Sequence, residues 1–395
     1  MASSWTSNIG DGIALAAGPL LVASQTDSAI LVALAALLQK LPWLVFGLWA
    51  GALADRLDRR AMVMIANGLR AVVVAVLCAF IVTDLVSVTA VLITMTLYGV
   101  AEVFADTTTS TLLPMLVDKA DLGTGNHRLQ AGFLTGNQLA GPPVGAFLFA
   151  AGAFWPFLIQ VLCVLFAVLL VSRIGATPPV VDEVTTHLRR DIGEGLKWIW
   201  SHPPVRTLAL VILAFNVTWA AAWSVLVLWS RDHLGMSEVG YGLLTTGTAV
   251  GGLIGTGIYG WLERRFSLAS MMKVCLSLEV VTHLALALTQ SGWLAIAIMV
   301  EFGAYGFVWG AVSNTIRQRA TPQQYQGRVS AAYKMCIYGG IVAGQAIGGV
   351  VAEHFGLIAP FWFAFVGAGI TLALVWRQLS HIAHADADDV QTLTG

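Results

Sequence analysis

The sequence is short of charge. Of its 395 residues only 11% are Asp, Glu, Lys or Arg, where a soluble domain carries roughly 25%. Some 57% are hydrophobic and the mean hydropathy is +0.78. Together these exclude an ordinary soluble fold. The net charge of −1 says nothing about partners, and the sequence shows no basic stripe for nucleic acid. Cysteine is scarce as well: Cys78, Cys163, Cys275 and Cys336 stand in four different apolar stretches, without the spacing of a metal site or a disulfide framework. No Lys or Arg precedes Lys40, so a basic n-region is missing and no cleavable signal peptide is expected. No Walker phosphate loop is present either, so ATP is not the expected driver and no enzyme activity is expected.

What the chain does have is apolar runs of about twenty residues, each long enough to cross a ~30 Å hydrocarbon core as a helix. They lie near 4–24, 28–53, 61–83, 86–110, 128–150 and 153–173, then near 205–229, 237–261, 267–289, 292–315, 329–352 and 356–377. The expected fold is an all-α integral membrane protein with twelve transmembrane helices in two pseudo-symmetric six-helix bundles, 1–173 and 205–377. A cytoplasmic linker, 174–204, and a tail, 378–395, complete the layout. With both termini cytoplasmic, eighteen of the 21 Lys and Arg fall at the inner face and only Arg231 outside, which satisfies the positive-inside rule.

The two halves echo each other. "GALADR" at 51–56 matches "GWLERR" at 260–265, and "YGVAEVFADTTTSTLLP" matches "YGFVWGAVSNTIRQRATP". Gly141 and Gly145 of "GPPVG" match Gly344 and Gly348 of "GQAIG". An ordered series of matches argues for duplication. Repeats related by an axis along the membrane normal place a substrate site between them, near the midplane. In the linker, "HLRRDIGEGLKWIW" puts Leu188, Ile192, Leu196 and Ile199 on one face, which suits a helix on the cytoplasmic leaflet or a plain tether. The tail's His384, Asp386, Asp388 and Asp389 read as a solvated end. "GTGIYG" at 255–260 lacks the preceding strand of a dinucleotide site, and "NVT" at 216–218 lies within a span; neither is functional.

The loop "GALADRLDRR" between the second and third spans resembles the signature Gly-x-x-x-Asp-Arg-x-Gly-Arg-Arg of the major facilitator superfamily. Gly51, Asp55, Arg56, Arg59 and Arg60 match it; Asp58 stands where the family usually has Gly, and a loop needing positive φ tolerates Asp better than most side chains. The resemblance implies a cytoplasmic gate, with Asp55 capping a facing helix and one of the arginines reaching a fourth-helix acid. Asp106 is the natural partner. Gly136 followed by Gly141, Pro142, Pro143 and Gly145 resembles the fifth-helix signature of drug antiporters. Close helix packing and a proline kink explain the same residues equally well.

The resemblance also implies that the first, fourth, seventh and tenth helices line a central cavity. Their polar content is Asp11, then Glu102 and Asp106, then Asn216, Trp219 and Trp223, then Glu301, Tyr305 and Trp309. An ionisable residue within a span defaults to a functional reading, against internal pairing that merely fixes the helices. For the aromatics the competing reading is packing or interfacial anchoring. Lys40 is expected to pair with Asp11 or Glu102, or to touch substrate. Arg70, Glu279 and His283, on helices usually peripheral, read as structural pairs.

"SNIGDGIALAAGPLLV" and "GRVSAAYKMCIYGGIVAGQAIGG" are similar to the bacterial branch that holds macrolide-efflux and enterobactin-export proteins. That similarity implies a monomeric secondary transporter of the bacterial cytoplasmic membrane, exporting a small amphipathic or cationic molecule against an inward proton flow. It implies no cofactor beyond the proton gradient and no partner beyond substrate and bilayer. Glu102 is the first choice as coupling or substrate-binding acid, with Asp11 and Glu301 behind it. Against proton coupling stands the fourth helix, which lacks the Arg usual in antiporters. A siderophore exporter of narrow specificity and a non-transporting membrane sensor remain the alternatives.

Overall fold

The computed structural model describes residues 1–118, 121–175 and 188–382, and among them there are helices and turns but no strands. The first half supplies α1 (Ala2–Gln25), α2 (Ala29–Arg56), α3 (Arg59–Val82) and α4 (Val88–Leu116). Its fifth rod is built in three pieces: α5 (Leu122–Gly132), a π-helical stretch Phe133–Ala140, and α6 (Gly141–Ala151). Pro142 and Pro143 lack an N–H, so an unbroken α ladder cannot run through them, and the wider π turns sit just ahead of them. The sixth rod is α7 (Phe154–Ser172).

A shorter helix, α8 (Leu188–Ser201), precedes α9 (Pro203–Trp223). One turn, α10 (Leu226–Leu228), and a π turn, Trp229–His233, follow. The remaining rods are α11 (Glu238–Arg265), α12 (Leu268–Leu288), α13 (Gly292–Ala320), α14 (Gln326–Phe355) and α15 (Ala359–Val375), with α16 (Gln378–Ile382) at the end. Among the described residues that makes twelve rods, of which eight helices are both long and apolar enough to cross a membrane. Serine hydroxyls start several of them. Ser87 accepts from Ala90 N at the head of α4, and Ser291 accepts from Leu294 N at the head of α13, the usual cap for orphan N–H groups.

The chain divides into two compact units. One comprises Met1–Thr186 with Val227–Thr246, the other His187–Leu226 with Gly247–Gly395. In the first unit α1 packs on α6 and α7, α2 on α4, and α3 on α4 and α7. A Cβ on Gly145 would stand 2.1 Å from Ile13 O, and one on Gly141 2.5 Å from Gly12 Cα. Only glycine allows the fifth rod to lie so close to α1. In the second unit α9 packs on α14 and α15, and α12 on α13 and α15. There a Cβ on Gly344 would stand 2.3 Å from Val217 O, and one on Gly348 2.1 Å from Ala221 O. The matched glycines of the two halves thus make matched helix contacts.

The segment Val227–Thr246, assigned by sequence to the C-terminal bundle, falls with the first unit. Its Arg231 donates to Asp27 Oδ1 and to Ala23 O, each at 2.7 Å, and to Asp232 at 2.5 Å. The hydrogen bond to Asp232, aided by Asp27, holds this guanidinium above its ordinary pKa. The α8 helix forms as its periodicity predicts, and part of its apolar surface is buried in protein. Trp198 and Ile199 are buried in the core of the second unit with Val205, Leu208 and Val329, and Glu194 pairs with Arg328 at 2.9 Å. Leu196 and Trp200 remain exposed. The side chains of Leu188 and Ile192, residues 176–187 and the tail from 383 lie outside the described residues.

Candidate functional site

In the gate loop Asp58 is the N-cap of α3, with φ −61° and its carboxylate accepting from Arg60 N at 2.9 Å and Ala61 N at 3.4 Å. The turn therefore needs no positive φ here, and Asp58 serves it as a helix cap. Arg59 donates to Ala54 O at 2.9 Å and lies against Met115 S at 2.8 Å, while Arg60 donates to Ser172 O at 2.5 Å. Gly51 sits beside Thr107. The side chains of Asp55 and Arg56 lie outside the described residues.

Two polar clusters occupy the interior, one in each unit. In the first, Arg70 is 1% exposed and is held between α1, α3 and α4. Its guanidinium forms an ion pair with Asp11 and donates to Asn67 Oδ1 at 2.8 Å and to Tyr98 Oη at 2.5 Å. Tyr98 donates to Asp11 at 2.7 Å and accepts from Gln160 Nε2 at 3.0 Å, and Ser7 also donates to Asp11 at 3.2 Å. Asp11 therefore has Arg70 as its partner, correcting the expected pairing with Lys40. Among the described residues no ion pair joins Lys40 to Asp11 or Glu102.

Asp106 does not follow Asp11 into that network. It is exposed, and with Asp11, Ser4, Asn8, Asn67 and Thr109 it contributes the polar part of a mostly apolar cavity of about 100 Å³. It also borders a wider groove of about 620 Å³ with Asn126, His127 and Gln130. Its charged neighbours include Glu102, Arg70, Asp11 and Lys40. Glu102, one turn away, has a buried Oε2 with no hydrogen-bond partner.

In the second unit a chain of hydrogen bonds links α12 and α13. Thr282 Oγ1 lies 3.3 Å from Glu301 Oε2 and 3.0 Å from Tyr305 Oη; Tyr305 donates to Glu279 Oε2 at 2.9 Å; and Glu279 Oε1 meets His283 Nε2 at 3.0 Å. His283 is fully buried, and its Nδ1 has no partner. Beside this chain a cavity of about 210 Å³ is lined by Asn216, Trp219, Glu279, Phe302, Tyr305 and Trp309, among others. Trp219 and Phe302 are parallel to within 7° with centroids 6.5 Å apart, and Trp223 packs on Phe302 at 4.7 Å. Asn216 itself donates to Ile212 O at 2.7 Å. In the sequence Glu279 and His283 read as peripheral; the structure brings them to Glu301 and Tyr305. The four-residue spacings Glu279–His283 and Glu301–Tyr305, each one helical face, are the signal that could have joined them.

The chain matches the family model "Transmembrane secretion effector" over residues 1–394. That match decides the family. The chain belongs to the major facilitator superfamily. It is 30% identical over 371 residues to the multidrug efflux pump Tap of Mycolicibacterium fortuitum, covering 90% of this chain and 89% of that one. It is 23% identical over 376 residues to macrolide efflux protein A of Streptococcus pyogenes, covering 92% and 90%. Among solved structures it resembles a bacterial homologue of the iron transporter ferroportin in an inward-facing state, with TM-score 0.74, 16% identity and 96% of each chain covered. The nucleoside transporter NupG superposes with TM-score 0.73 at 11% identity, covering 97% of each chain; both show the fold alone. This major facilitator protein is a multi-pass membrane transporter and not an enzyme.

Proposed function

We propose that this major facilitator protein exports small amphipathic or cationic molecules across the bacterial cytoplasmic membrane, by alternating access coupled to proton antiport. The observation that carries the reading is the acid-lined interior of the first unit. Asp106 and Asp11 line a mostly apolar cavity walled by membrane-length helices, and Glu102 is left with an unpartnered buried oxygen. Carboxylates in such surroundings are costly unless they exchange a charge, and a proton is the cheapest charge to exchange. The names of the relatives, multidrug and macrolide efflux proteins, support export of such molecules. The same reading places both termini in the cytoplasm, works as a monomer and needs only the proton gradient.

The test is accumulation of cationic dyes and macrolides in cells expressing wild type or Glu102→Gln. Wild type is expected to lower accumulation in a way that a protonophore abolishes. Glu102→Gln is expected to cut the initial export rate about tenfold, a loss of ~1.4 kcal/mol in transition-state terms. Export by Glu102→Gln equal to wild type removes that residue from coupling. Export insensitive to the protonophore overturns antiport.

A further inference from the structure

The two matched loops spend their arginines differently. In the first, Arg59 donates to Ala54 O and Arg60 to Ser172 O. In the second, "GWLERR" at 260–265, Arg264 and Arg265 are exposed at the end of α11. Among the described residues neither donates to a carboxylate or a carbonyl oxygen, and Arg265 lies over the ring of Trp261 at 5.6 Å. Their acidic neighbour, Glu263, has its Oε1 3.5 Å from Tyr259 Oη. Two arginines against one acid leave this loop net positive. Trp261 is itself exposed, and an exposed tryptophan beside a cation at a helix end marks the depth of the lipid headgroups.

Beside this loop the second unit carries an apolar groove of about 330 Å³, with α11 and α12 as walls and α13 as floor. Ile258 and Phe266 stand on one wall, Val274 on the other, and all three are exposed, so the groove opens onto the outside of the bundle. Its loop end is polar: Ser270 borders it, and the Ser267 and Ser270 hydroxyls meet at 3.0 Å. From Ser270 to Leu278, both on its wall, α12 rises about 12 Å at 1.5 Å per residue. That is most of one leaflet, half of a ~30 Å hydrocarbon core. Glu301 and Tyr305 also border the floor, but their polar ends are spent on Thr282 and Glu279, and what they offer the groove is carbon.

An acyl chain gains little by leaving other lipid tails for an apolar wall, so the groove by itself would accept any lipid. The arginines are what select. A guanidinium matches a phosphate with two parallel hydrogen bonds, and a basic cluster at the membrane surface favours anionic headgroups. A zwitterionic headgroup brings its own cation beside the phosphate and gains less from the pair. We propose that this groove binds one anionic phospholipid of the cytoplasmic leaflet, with its phosphate on Arg264 and Arg265 and one acyl chain lying between α11 and α12 over α13. The leaflet follows from the orientation with both termini inside; the binding depends neither on that orientation nor on export.

Native mass spectrometry of the purified full-length protein in detergent tests it, with dioleoylphosphatidylglycerol as probe and dioleoylphosphatidylcholine, of the same tails and no net charge, as control. Wild type is expected to bind the glycerol lipid at least about tenfold more tightly than the choline lipid, since each basic residue near a headgroup contributes about fivefold. Arg264→Gln combined with Arg265→Gln is expected to erase that preference. Lys197→Gln combined with Arg319→Gln, which removes the same charge from exposed positions outside the groove, is expected to keep it. Val274→Trp, which fills the groove from its rim, is expected to weaken binding of the glycerol lipid at least about tenfold. Ile258→Trp on the facing wall carries that arm if Val274→Trp does not stay monodisperse. Equal affinity of wild type for the two lipids overturns the proposal, as does an equal loss of preference in the two charge variants. Wild-type affinity in both groove-filling variants overturns it too, by showing a headgroup contact without a seated chain. Experiments on cells report separately: failure to export sinks the exporter reading and leaves this site in place, and an inverted topology overturns the leaflet alone.

Discussion

At the scale of single residues, Arg70 is the pivot of the first unit. Its charge is enclosed, and Asp11, Asn67 and Tyr98 all spend hydrogen bonds on it. Removing one member of a buried pair strands the other and costs about 3–5 kcal/mol. Arg70→Gln is therefore expected to lower stability by that amount, and Asp11→Asn added to Arg70→Gln to recover part of it. Thermal unfolding of Arg70→Gln, Asp11→Asn and the double variant in detergent checks the sign of the coupling; additive losses would mean that Asp11 and Arg70 act independently. The sequence announced that Asp11 and Arg70 were out of place in apolar helices. It did not announce that they meet, because 59 positions separate them and no periodicity within one helix points to a partner on another. Tyr98 was harder still: a tyrosine among apolar residues looks like packing until its hydroxyl is seen between Arg70, Asp11 and Gln160.

Elements were more legible than contacts. Runs of apolar residues of membrane length dictate helices because every backbone N–H and C=O must be satisfied within the segment, so span after span is readable without a neighbour. The interruption of the fifth rod was signalled by Pro142 and Pro143, though its π form was not. The α8 helix shows the limit. Its amphipathic pattern predicts a helix, but the same pattern fits a lipid surface or a protein core, and Trp198 and Ile199 are buried in protein. Helix packing gives a test with two signs. Gly145→Ala and Gly348→Ala, whose Cβ atoms would stand 2.1 Å from a facing carbonyl oxygen, are each expected to destabilise by about 1–3 kcal/mol. Gly257→Ala in α11, where nothing lies within 4 Å, is expected to be neutral or to stabilise by up to ~1 kcal/mol through helix propensity. Detergent melting curves that ranked the three alike would show that these glycines do not set the helix spacing.

At the scale of the whole molecule, the side of the membrane on which each loop lies follows from basic residues, which cross a bilayer reluctantly. With the termini inside, Asp232, beside the outer residue Arg231, faces out and Glu263, beside Arg264 and Arg265, faces in. In a background without the four native cysteines, Asp232→Cys should react with an impermeant maleimide in intact cells, and Glu263→Cys only after permeabilisation. The reverse pattern would invert the topology. The duplication visible in the sequence is also visible in the packing, with Gly141 and Gly145 on α1 answered by Gly344 and Gly348 on α9. The interior side chains do not repeat in this way: a pair closed by arginine occupies one copy, and in the other Glu279 meets His283 while, among the described residues, no Lys or Arg pairs with Glu279 or Glu301. The glycines that space the rods and the side chains that form the polar clusters are therefore different residues. On the exporter reading, a change of cargo is expected to come from positions such as 279, 282, 301 or 219 while the spacing of the rods stays as it is, which would let one frame serve many chemistries without being refolded for each.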